Sequence, residues 1–189
     1  EYPPEFIVLV GDTAEIGYSS ASGGESDYPY TLIDGNDLLP EMFIGRFPAN
    51  SSSDLNNMIN KTLVYEQAMF IEYTGTDWYE SSALVGDPSA TGNSAIITNE
   101  YIENILNAFD FNDVETCYGC GYSSWMQNRL EEGILYFNYR GYIGTSGFSS
   151  SHINNANNGY KNPFAVFITC GTGDYNGTAL SEQLFRAGS

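Results

Sequence analysis

Short runs of β-branched and aromatic residues alternate along the whole chain with stretches whose apolar residues recur at helical spacing, and no other feature limits the fold as tightly. Phe6 to Val10, Glu41 to Arg46, Ser82 to Gly86, Asp113 to Cys117, Gly133 to Tyr139 and Pro163 to Thr169 read as strands. Asp54 to about Phe70, Ile96 to Phe109, Ser123 to Glu132 and Leu180 to Ala187 read as helices. Phe6 to Val10 is expected to be a buried strand, and Pro163 to Thr169 is the most apolar of the set. Strand–helix–strand crossovers of this length join parallel neighbours and put helices on both faces, so the class is α/β with a mainly parallel sheet. Ligands then bind at the carboxyl ends of the strands, which directs attention to the loops after Val85, Tyr139 and Thr169.

An echo between Leu9-Val10-Gly11-Asp12 and Leu84-Val85-Gly86-Asp87 predicts two adjacent sheet units, divided as residues 1–75 and 76–189. The chain opens one step before a core strand and closes inside an apolar helix, so flanking domains of a larger protein are expected.

Acidic residues outnumber basic ones 24 to 6, and the net charge of −18 repels phosphate backbones, which excludes nucleic-acid binding. The same charge repels anionic lipid headgroups, and no apolar run approaches the ~20 residues of a spanning helix. Glu1-Tyr2-Pro3-Pro4-Glu5 has neither the basic start nor the apolar run of a signal peptide, and a mature chain would have lost one. Few Lys and Arg among many Asn, Ser, Gly and Tyr suit a secreted or salt-adapted protein.

Of three cysteines, Cys117 and Cys120 form a single C-x-x-C with one His in the whole chain, too few ligands for a tetrahedral zinc site. They read as a short disulfide or as two inert thiols. Cys170 follows the most apolar strand and precedes Gly171-Thr172-Gly173-Asp174, which would set its sulfur at the sheet rim among loop amides. That is the geometry of a nucleophile with oxyanion-stabilising N–H groups nearby; the alternative is a buried cysteine acting as a small hydrophobe. A phosphate cradle is excluded, because Gly171-x-Gly173 and Gly177 miss the dinucleotide spacing and no Lys-Ser/Thr follows. With one imidazole available, the base is His152 or lies outside the chain; His152 sits in a polar stretch that reads as a loop or a helix start. Tyr142 ends the preceding core strand, but a phenol titrating near 10 is a poor base for a thiol. The loop Asp34-Gly35-Asn36-Asp37-Leu38-Leu39-Pro40-Glu41 spaces Asp34, Asp37 and Glu41 as oxygen donors for a hard cation such as calcium, with Glu25 and Asp27 in reach, or else as a solvated acidic turn.

In order along the chain, Leu9-Val10-Gly11-Asp12, Ser26-Asp27-Tyr28-Pro29-Tyr30, Pro40 to Pro48, and Lys61-Thr62-Leu63-Val64-Tyr65-Glu66 resemble the gingipain-type cysteine peptidases. Phe137-Asn138-Tyr139-Arg140-Gly141, Thr169-Cys170-Gly171-Thr172-Gly173-Asp174-Tyr175 and Ser181 to Ala187 extend the resemblance over nearly the whole chain. It implies a caspase-like three-layer α/β/α domain of two sheet units, secreted by bacteria, often stabilised by calcium, that cleaves protein or peptide substrates with a Cys nucleophile and a His partner. Cys170 matches the nucleophile, and Gly141 and Gly171 fall where backbone N–H groups would face an oxyanion. The family's histidine lies in a Gly-His-Gly turn, where Gly141-Tyr142-Ile143-Gly144 has Tyr142 instead. The catalytic-site acid of the best-known members would fall around Val85, and the acid that selects a basic side chain around Ala95 or Ile96; neither is present. The resemblance thus implies either a peptidase with Cys170 as nucleophile or a degenerate member acting as an extracellular binding or structural module.

Overall fold

The computed structural model describes residues 4–20, 25–69, 72 and 75–188. Its contacts group residues 1–58 with 174–188 in one compact unit and 59–173 in another. The terminal helix therefore goes with the N-terminal residues, where the sequence had placed it with the second unit.

In the first unit, β1 (Phe6–Val10) pairs in parallel with β2 (Phe43–Phe47), from Phe6 opposite Phe43 to Val10 opposite Phe47. The expectation of a buried β1 fails: only Leu9 is buried, while Phe6, Val8 and Val10 are exposed, Phe6 to 66%. The reason is the sheet's width. With two strands among the described residues, one row of side chains alone finds cover, and Phe6 stacks on Phe43 at 5.2 Å between ring centres. Polar contacts supply the rest of the cohesion. Arg46 donates from Nε and Nη2 to the two oxygens of Asp27 at 2.7 and 2.6 Å, and from Nη1 to the carbonyls of Gly11 and Ile16, both at 2.9 Å. Its guanidinium also lies over the Tyr175 ring, whose hydroxyl donates to Asp27 at 3.0 Å. In α6 (Leu180–Arg186), Arg186 pairs with Asp12 at 2.7 Å, and Phe185 meets Phe47 edge-on. Helix α1 (Ser52–Glu66) begins where the Ser51 hydroxyl accepts from the Asp54 N–H at 3.1 Å; its expected end at Phe70 lies outside the described residues.

Among the described residues the second unit holds a four-stranded, all-parallel sheet in the order β4-β3-β5-β6, from β3 (Ser81–Gly86), β4 (Asp113–Cys117), β5 (Tyr136–Ile143) and β6 (Phe164–Cys170). The chain leaves β3 for β4 on one side through α2 (Pro88–Thr91) and α3 (Ser94–Ala108), then returns through α4 (Tyr122–Glu132) to β5 on the other. Right-handed crossovers in opposite directions place α3 and α4 on opposite faces. Hence β3, flanked and covered on both sides, is buried at every residue. Helix α5 (Ser150–Asn155) stands between β5 and β6. The most apolar strand is not the most buried one. β6 is paired on one side only among the described residues, so Phe164 is 61% exposed and Ile168 is exposed as well. Among the described residues no helix is long and apolar enough to cross a membrane.

Candidate active site

The strand order reverses between β3 and β5, and in an open parallel sheet the crevice for a ligand forms outside the carboxyl ends at such a point. The residues there are Gly86 at the end of β3, Asp87 directly after it, and the end of β5, from Tyr139 to Ile143. Between Arg140 opposite Ile168 and Ile143 opposite Cys170, β5 spends two residues, Gly141 and Tyr142, where β6 spends one. This is a bulge, the device that re-aims side chains at a sheet rim. Tyr142 stands in it, 63% exposed. Gly141 is required there: a Cβ would lie 2.5 Å from the Tyr139 hydroxyl, whose ring crosses beneath it.

Cys170, the last residue of β6, is the free cysteine and is exposed, not sealed in the core. Its carbonyl accepts from the Gly144 N–H at 2.8 Å, and Thr169 Oγ1 donates to the Gly144 carbonyl at 2.9 Å. The turn after β5 is thus fastened to the cysteine's own backbone. Gly171 follows at φ +76°, a conformation that suits glycine and bends the chain off the strand.

His152 has a local task. In α5 its Nδ1 accepts from the Ser149 N–H at 3.2 Å, and the ring stacks on Phe148 with centres 5.5 Å apart. Accepting at Nδ1 leaves the proton of the neutral ring on Nε2. The structure thus brings Tyr142 and Cys170 onto neighbouring strands, while His152 is held at a helix start. Val85, around which the resemblance would set one acid, and Ala95, which with Ile96 would mark the other, are buried, and Ile96 follows Ala95 on α3.

The carboxylates proposed for calcium are turned to the main chain. Glu41 Oε2 accepts from the Ile33 N–H at 2.8 Å, Asp34 Oδ1 from Gly35 at 2.9 Å, and Asp37 Oδ1 from Leu39 at 2.9 Å. Asp27 is taken up by Arg46, and Glu25 accepts from Tyr18 and from the Tyr175 N–H. No three His, Cys, Asp or Glu side chains among the described residues converge to hold a metal, so these donors do not fit the ion as placed. Cys117 and Cys120 are joined in a disulfide, with Cys117 buried at the end of β4.

Three residues that the sequence reading passed over meet at the switch point. The Ser146 hydroxyl bonds to Asp87 Oδ2 and lies 2.7 Å from the Tyr139 hydroxyl. Asp87 Oδ1 accepts from the Ser89 N–H at 2.9 Å, capping α2. Burial alone would raise the Asp87 carboxyl, but the bonds from Ser146 and Ser89 outweigh it and hold the group below the usual carboxylate range. A signal for Asp87 was available: Asp followed by Pro after a strand is a helix-start pattern. Nothing local to Ser146 announces a partner 59 residues away.

The family model for peptidase family C25 matches residues 1–189. The chain belongs to peptidase family C25. Gingipain R2 of Porphyromonas gingivalis is 32% identical over 96% of this chain, which covers 26% of that protein. Lys-gingipain of the same organism is 40% identical over 34% of this chain and 4% of its own length. Among solved structures, the Arg-specific cysteine proteinase gingipain R superposes with a TM-score of 0.85 at 30% identity, over 97% of this chain and 45% of that one. A structure described only as a protease reaches a TM-score of 0.88 at 24% identity over 98% of this chain, a likeness in fold. The chain therefore spans about a quarter of the curated relative Gingipain R2 and under half of the solved relatives. The fold is the caspase-like α/β arrangement, and the chain is a gingipain-like cysteine-peptidase-family domain.

Proposed function

We propose that the domain belongs to a secreted peptidase that acts on polypeptides, with Cys170 as the attacking group. The observation that carries this reading is the free, exposed Cys170 at the carboxyl end of a parallel strand, beside the bulge that holds Tyr142. In the proposed step the Cys170 sulfur bonds to the scissile carbonyl carbon and the carbonyl π pair moves onto oxygen, facing the N–H groups of Gly141 and Gly171. The pair then re-forms the carbonyl, the amine leaves with a proton from the base that took it from the thiol, and water releases the acyl group. A phenol that keeps its own proton offers no base for that transfer, so the proton goes to an imidazole, either His152 through Nε2 or one supplied from outside residues 1–189. Export is supported by the Cys117–Cys120 disulfide, which suits an oxidising compartment, and by the acidic surplus.

A second reading, a polypeptide-binding module that has lost hydrolysis, is favoured by one observation: His152, the one imidazole of residues 1–189, is engaged at the start of α5, while the resemblance would set the family's histidine where Tyr142 stands. Denatured casein incubated with the full-length protein separates the two. Cleavage that disappears in Cys170→Ala supports the peptidase. An inert parent, with cleavage gained in Tyr142→His, supports the binding module and overturns the first reading.

A further inference from the structure

Asp87 is ionised at neutral pH and so has only acceptors, which fixes the direction of the hydrogen bonds around it. Ser146 must donate to Asp87 Oδ2, and its oxygen is then left to accept from Tyr139. Tyr139 is buried, and its hydroxyl has that one way out of the core. Ser146 sits at φ +49°, an uncommon conformation for a residue with a side chain, and the relay from both sides holds it there. A second tie reinforces the first, because the Asp87 N–H donates to the Arg140 carbonyl at 2.9 Å. Residues 139–146 are therefore gripped on the β3 side by Asp87. On the β6 side they are gripped through Gly144, which exchanges bonds with Cys170 and Thr169.

We propose that Asp87, acting through Ser146 and Tyr139, is a positioning residue for Cys170: it holds the bulged end of β5, and with it the Gly144 amide and the Tyr142 position, at a set distance from the sulfur. This rests on the reading of Cys170 as the reactive group. Asp87 touches no reacting atom in this role. It follows β3 directly, at the N-cap of α2, and it reaches the site by way of the turn instead of through an imidazole.

The test is alkylation of Cys170 by iodoacetamide in the full chain under non-reducing conditions, with the melting temperature read in parallel. Ser146→Ala, Asp87→Asn and Tyr139→Phe are each expected to change the second-order rate by roughly three- to tenfold, and Ser146→Ala combined with Asp87→Asn by no more than either alone, as for groups acting as one unit. Ser146→Thr keeps the hydroxyl but is β-branched at φ +49°, so it is expected to restore the rate where its melting temperature matches the parent's. Parent-like rates in the three single variants, or independent multiplication in the double one, overturn the inference. So does a failure of Ser146→Thr, with a melting temperature equal to the parent's, to restore a rate that Ser146→Ala has lost. If Asp87→Asn does not fold, the Ser146 and Tyr139 variants still decide the matter. Casein cleavage by the parent is scored separately: an inert parent defeats the peptidase reading and leaves the alkylation result to judge the role of Asp87.

Discussion

The two compact units hold together by different means. Residues 59–173 rest on β3, buried along its whole length, and on apolar neighbours such as Phe137, Met126 and Ile134. Among the described residues, 1–58 with 174–188 have two strands, mostly exposed on one face, and hold the largely buried ion pairs Arg46–Asp27 and Arg186–Asp12. The stretches that resemble the gingipain type contribute much of this polar interior: Asp12, Asp27, Arg46, Tyr175 and Arg186 all lie in them and all bond to one another's neighbourhood. Much of the resemblance in this unit thus falls on residues that hold the fold together, whereas Cys170 stands exposed at a sheet rim.

The contrast breaks most visibly if a buried charge loses its partner. Arg46→Ala leaves Asp27 nearly enclosed with the Tyr175 hydroxyl but no cation beside it, and should cost about 3–5 kcal/mol, read by urea unfolding. A loss under about 1 kcal/mol would mean that water replaces the guanidinium and that the polar interior is not what closes this unit. In the other unit the comparable injury is a void. Leu84→Ala on β3 should cost about 3 kcal/mol without any dependence on pH between 5 and 8.

Acid should act on the first unit through Asp12. Burial pushes its carboxyl up, but the Thr13 N–H at 2.7 Å and the Arg186 guanidinium outweigh this and leave it below its ordinary 3.8. A depressed carboxyl contributes stability that is complete above the unfolded value and is lost as pH falls through the folded one. The difference in melting temperature between parent and Asp12→Asn should therefore be full at pH 7 and shrink below about pH 4. Glu182 works against it: burial, then the nearby Asp12, raises its carboxyl above 4.5. Its protonation on mild acidification stabilises the fold before Asp12 titrates, and Glu182→Gln should remove that gain. The smallest expected effect is at His152. His152→Ala frees one N–H at the start of α5, so about 1 kcal/mol should be lost with the Cys170 alkylation rate unchanged. A large fall in that rate would instead make His152 the thiol's base.

The class was legible because periodicity is written locally: each strand–helix alternation in residues 81–170 appears in the structure within a few residues of its expected bounds. Cys170 was legible for the same reason, since a strand that ends in Cys-Gly announces its rim position. Burial was not. Phe6 and Phe164 are apolar, but whether a strand is covered depends on how many neighbours the sheet has, and no residue in the strand encodes that. Ser146 was equally hidden, because its meaning comes from Asp87, brought close only by the parallel pairing of β3 with β5. The role of His152 was half visible: the polar run before it marked a helix start, but the ring's service as the N–H acceptor required coordinates.

The bond between Cys117 and Cys120 has a practical corollary. With those two sulfurs spent on each other, a single free thiol remains in residues 1–189, so one thiol-directed reagent mass added to this domain is already an assignment to β6. Occupancy can then be followed by intact-protein mass spectrometry, without digestion and without mutating any other position.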